Sequence, residues 1–116
     1  MSGTLEETLR IISKEFDTAH NAMRAGNQGM VRVCARRAAG AAIARWLQSH
    51  PRNGWGIDAM SRLRALRDEN TMPSDVRDAA ARLGTKVTPR FASSQSIDPI
   101  GDARAVITRL LNITDV

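Results

Sequence analysis

Residues 29 to 47, GMVRVCARRAAGAAIARWL, hold the longest uninterrupted helical pattern in the chain. Residues 38 to 42 read AAGAA, and arginines stand at 32, 36, 37 and 45. Small side chains let a neighbouring helix approach closely, whereas the guanidinium groups must reach water or an anion. A helix that is small or apolar on more than one side belongs at the centre of a bundle. Val31, Ala35, Ala38, Ala42 and Trp46 make one apolar side, and Met30, Cys34, Arg37, Ala41 and Ile43 flank another. Arg32 and Arg36, one turn apart, are expected on an exposed stripe, so one edge of this helix turns to solvent or to a partner.

The segments around it read as helices too. Thr4 and Glu7 form a T-x-x-E capping box ahead of Leu5, Leu9, Ile12, Phe16, Ala19 and Met23. Their spacings alternate between four and three, a stripe suited to an antiparallel neighbour or a coiled-coil-like pair. Gly26 is placed to end this helix and Asn27 to cap the next, which runs to about Ser49 before Pro51. A turn this short makes the two helices antiparallel neighbours. Residues 50 to 56, HPRNGWG, form a loop. A third helix spans about 57 to 69, with Met60, Leu63 and Leu66 inward and Arg62, Arg64 and Arg67 outward. Pro73 opens a fourth, with Val76, Ala79, Ala80, Leu83 and Val87 as its stripe and Gly84 as an early stop. Residues 88 to 98 lack any period and form the longest loop. Asp98-Pro99 then reads as cap and first turn of a fifth helix running to about Ile113, with Ile100, Ala103, Ile107, Leu110 and Leu111 inward. The expected fold is all-α, one domain over residues 1–116, an up-and-down bundle of four to five helices. Scarce aromatics point the same way, because the core must come from aliphatic and alanine side chains.

Charge is unevenly spread. Residues 24 to 67 carry nine arginines against Asp58 alone, which is +8, whereas residues 1 to 23 sum to −2. A basic middle third marks a candidate phosphate or nucleic-acid face. Arg32, Arg36 and Arg37 are its candidate anion-binding residues, and Trp55 is a candidate stacking surface for a base. The plainer alternatives are solvated or ion-paired arginines and a tryptophan folded over the core. His20 and His50 lie on different elements with no ligand at metal spacing, so neither a metal nor a cofactor is expected. Cys34 excludes a disulfide framework by being alone, and its helical setting suggests a buried thiol; a Cys-His pair is the other option. No apolar run approaches membrane-spanning length and no signal-peptide core is apparent, which makes the cytoplasm the expected location. Arg45 and His50 remain. At a helix end they suit a metal-independent ribonuclease, with arginine neutralising the scissile phosphate and histidine as general acid or base.

The order of elements resembles that of HEPN domains (higher eukaryotes and prokaryotes nucleotide-binding). The residues that carry the resemblance are the alanine-rich second helix (ARRAAGAAIA, 35 to 44), TPRF at 88 to 91, and a last helix opened by Asp98-Pro99 and carrying Asp102-Ala103. The resemblance implies a small, often dimeric helical bundle. Ribonuclease members carry R-x(4–6)-H near the start of a late helix, usually with a polar residue after the arginine. Here Arg45 and His50 meet the spacing, but they end the second helix and Trp46 follows the arginine. The resemblance therefore implies a non-catalytic homodimer, with a nucleotide, RNA or a nucleotidyltransferase-type protein as partner. The alternatives are the ribonuclease and a purely structural dimerisation module.

Overall fold

The computed structural model describes residues 4–85, 97–114 and 116. Val87 and most of the loop expected over 88–98, TPRF included, lie outside the described residues. Five helices follow in order: α1 (Leu5–Arg24), α2 (Gln28–Ser49), α3 (Ala59–Arg67), α4 (Ser74–Leu83) and α5 (Pro99–Leu111). Among the described residues there is no strand. Each helix packs on its predecessor, and α2 also packs on α5 and touches α4. The all-α bundle is therefore as expected, with α2 at its centre.

The helix ends follow from their capping residues. The Glu7 N–H donates to Thr4 Oγ1 at 3.1 Å, opening α1. At its other end Gly26 takes a φ of 74°, which a residue without a Cβ adopts at little cost. That turn lets the Gly26 N–H reach the Met23 carbonyl at 3.1 Å and the Asn27 N–H reach Ala22 at 2.8 Å, a Schellman motif. Asn27 then accepts the Met30 N–H through its side chain and opens α2. α3 starts later than its apolar pattern suggests, because Asp58 accepts the N–H and the hydroxyl of Ser61 at 2.8 and 3.0 Å. This leaves Ile57 outside the helix and 88% exposed. Asp98 caps α5 through the Gly101 N–H, and Asn112, at φ 55°, ends it.

The small-residue run packs as expected. Ala38, Ala39, Gly40 and Ala42 are all buried. A Cβ on Gly40 would stand 2.9 Å from that of Ala59, so the start of α3 rests directly on the α2 backbone. Around this contact lie Val31, Cys34, Ile43, Leu63, Leu66, Leu83, Val106 and Ile107.

Several expectations need correction. On α1 the face buried against α2 is Thr8, Ile12, Phe16, Ala19 and Ala22. Leu5 and Met23 are 37% and 44% exposed, so α2 meets only one edge of the predicted stripe. Met30 and Arg37 are exposed rather than flanking a core face. Arg36 leaves the solvent stripe: it is half-buried, and its Nε and Nη2 donate to the carbonyls of Leu83 and Thr85 at 2.8 and 3.0 Å. The reason is the C-terminal end of α4, whose last carbonyls have no intrahelical donors. Arg62 is half-buried instead of outward. On α5 Val106 joins the core, whereas Leu110 and Leu111 are only half-buried.

Candidate functional site

The C-terminal end of α2 gathers both tryptophans and His50. His50 stacks on Trp46 with centroids 4.6 Å apart and planes 7° from parallel. Its Nδ1 lies 3.2 Å from the Trp46 carbonyl and 3.0 Å from the Ser49 hydroxyl. A carbonyl only accepts, so that contact places the proton on Nδ1 and leaves Nε2 as an acceptor. Trp55, 5.6 Å from Trp46, is buried over the core, and no open ring face is left there for a base. Arg52 lies 5.1 Å above Trp46 and makes a two-pronged contact with Glu69, Nε to Oε1 at 3.2 Å and Nη2 to Oε2 at 3.3 Å. The bonds from Arg52, then from Thr71, hold the Glu69 carboxyl below the usual range. Stacking, cation–π contact and ion pair together tie residues 50–55 to the end of α3.

Arg45 is half-buried, and its Nη1 donates to Gln48 Oε1 at 3.3 Å. Arg45 and His50 share a helix end, Arg45 bonded to Gln48 and His50 in contact with Trp46 and Ser49. Cys34 is fully buried; burial, then the carboxylate of Glu15, pushes its thiol up, which disfavours the thiolate a nucleophile requires.

A second group of basic residues surrounds the end of α4. Arg36 caps it, and the stem of Arg64 lies against the same turn, with its Cγ 3.7 Å from a Cβ placed on Gly84. Burial first, then the charge of Arg32, holds the Arg36 guanidinium below the usual arginine range. Arg32 itself donates no hydrogen bond and forms no ion pair among the described residues. Arg37, about 100° further round the helix, lies apart from this group, close enough to Cys34 to act on its thiol. The four candidate anion-binding residues therefore divide: Arg32 and Arg36 share an edge, Arg37 stands on another side, and Trp55 is inside.

One further feature escapes a reading of charges and motifs. A groove of about 410 Å³ runs along α1, lined by Leu9, Ser13, Phe16, Asp17 and His20 and, after α5, by Ile113 and Val116. Arg104 closes one side, with its guanidinium 5.6 Å over the Phe16 ring and its Nε donating to the Val116 carbonyl at 3.0 Å. The sequence signal for it was the alternating stripe of α1, which is wider than one neighbouring helix covers.

Among the described residues no group of three or more His, Cys, Asp or Glu side chains is placed to hold a metal ion, and no helix is long and apolar enough to cross a membrane. No family model, no curated protein and no solved structure matches this chain.

Proposed function

We propose that the protein is a non-enzymatic, HEPN-like helical bundle that works as a homodimer and binds the phosphates of a nucleotide or of RNA at the edge shared by Arg32, Arg36 and Arg64. The observation that carries this reading is the close pair Arg32 and Arg36. Their like charges disfavour each other, and Arg36 is satisfied by carbonyls rather than by a carboxylate. An anion between them relieves that repulsion and adds charge-assisted hydrogen bonds. The resemblance in helix order and in the alanine-rich second helix supports the same class of partner.

The test is fluorescence anisotropy of a labelled single-stranded RNA at 50 and 200 mM salt. Affinity falls steeply with salt, with a log–log slope of about 0.7 per phosphate contacted. Arg32→Ala reduces that slope by roughly one contact and weakens binding. Arg109→Ala, near the Pro73 end of α4, leaves both unchanged. Binding that ignores salt, or ignores Arg32, sinks the reading.

A ribonuclease is the second reading, favoured by one observation: His50 Nδ1 lies 3.2 Å from the Trp46 carbonyl, and in the tautomer that donates there Nε2 is free to act as a base. It predicts RNA cleavage in excess chelator, abolished by His50→Ala and by Arg45→Ala in folded protein. Intact RNA after prolonged incubation rejects it.

A further inference from the structure

α1 packs closely on α2 alone, and the edge of its stripe that α2 leaves uncovered faces the groove. Leu5, Leu9, His20 and Met23 fall along that edge at spacings of four, eleven and three, one helical face. Beside it runs a row of exposed charges: Glu6, Arg10, Asp17 and Arg24. Their signs alternate along the helix as −, +, −, +. Read in reverse, the row is its own complement.

We infer that the groove side of α1 is a self-association seam, occupied by α1 of a second copy in antiparallel register about a two-fold axis near residues 14 and 15. This rests on the homodimer part of the function proposed above and locates it. In that register Arg24 of the partner subunit stands within one residue of Glu6 and Asp17 of the partner subunit within two residues of Arg10, offsets of about 1.5–3 Å that these side chains span, each pair occurring twice. Leu5 meets Met23 of the partner subunit, and Ser13, small and exposed, lets the two helices approach near the axis. Such an isologous contact closes on itself and stops at two chains. Within one chain Arg10 pairs with Glu6 at 3.2 Å, and Arg24 donates to Asn21 Oδ1. Both are exposed contacts of little worth alone, so exchanging them across the seam costs little.

Sedimentation equilibrium of the full chain tests this. The wild type is a dimer at micromolar concentration. Glu6→Arg and Arg24→Glu each raise the dimer dissociation constant about tenfold, since two attractive pairs become repulsive. The double variant Glu6→Arg/Arg24→Glu returns it to near the wild-type value. Met23→Asp, at a side chain 44% exposed in the single chain, dissociates the dimer while circular dichroism stays helical. A wild type that remains monomeric at high concentration overturns the inference. So does a dimer that ignores the single reversals, or a double variant as weak as the singles. The outcome is separable from RNA binding: a monomer with salt-sensitive binding at Arg32 overturns the seam alone, and a dimer without binding overturns the phosphate site alone.

Discussion

Gly40 shows how one residue fixes the approach of two helices. In an exposed helix interior, replacing glycine by alanine gains roughly 0.5–1 kcal/mol from backbone entropy. Here the added methyl meets Ala59 Cβ at 2.9 Å and its Cα at 3.2 Å, and neither atom belongs to a flexible side chain that can swing away. Overpacking costs about 1–3 kcal/mol and outweighs the propensity term. Gly40→Ala therefore lowers the urea midpoint by the equivalent of about 1 kcal/mol, and Gly40→Val lowers it further. Gly29→Ala is the control: it has only Asn27 Oδ1 nearby, at 3.8 Å, and is expected to stabilise. An increase in stability for Gly40→Ala would show that α3 does not rest on α2 as described. Arg36 makes the complementary point. Its charge suggested a solvent role, and its contacts assign it to the Leu83 and Thr85 carbonyls.

At the scale of elements, helix boundaries were legible because caps act locally. Thr4, Asn27 and Asp98 each accept a backbone N–H three residues on, and Gly26 ends α1 by its own φ; Asp58 does the same for α3, a cap that the apolar pattern from Ile57 concealed. What was not legible was the rotation of each helix about its axis. The α1 stripe spans an arc wider than one contact, and α2 chooses the edge carrying Thr8 and Ala22 over that carrying Leu5 and Met23. Only the partner's shape decides this. The same holds for the arginines, whose fate depends on which carbonyls or carboxylates come within reach. α1 and α2 should accordingly differ in local stability. Helices with fewer tertiary partners open at lower free energy. Hydrogen exchange is expected to be faster along α1 than in the middle of α2, with α1 protection rising with protein concentration as a seam forms. Equal protection in dilute solution would contradict the packing of α1 on α2 alone.

For the whole molecule the balance of charge sets the response to acid. Asp58, Asp68 and Glu69 all have carboxyls held below their ordinary values, the first by hydrogen bonds from Ser61, the second by those from Arg67, the third by those from Arg52. A depressed carboxyl contributes stability above its unfolded pKa, about 3.9 for aspartate and 4.3 for glutamate, and loses it as pH falls through the folded value. The formal charge is already +5 at neutral pH, so protonation also adds self-repulsion. Chemical denaturation is expected to show constant stability from pH 6 to 8 and a fall below about pH 4. Glu69→Gln weakens the fold at pH 7 by about 1 kcal/mol, the upper end of what a partly exposed ion pair contributes, and the gap to wild type closes in acid. A gap that persists at low pH would mean the Arg52–Glu69 pair is not its source.

The joining of residues 50–55 to the end of α3 also makes the protein a convenient optical object. The chain contains no tyrosine, and its only tryptophans, 46 and 55, lie 5.6 Å apart within that single cluster. Intrinsic emission therefore reports one end of the molecule. It registers the loosening of the loop from α2, so local unfolding there is read by emitted light while association is read by scattered light in the same sample.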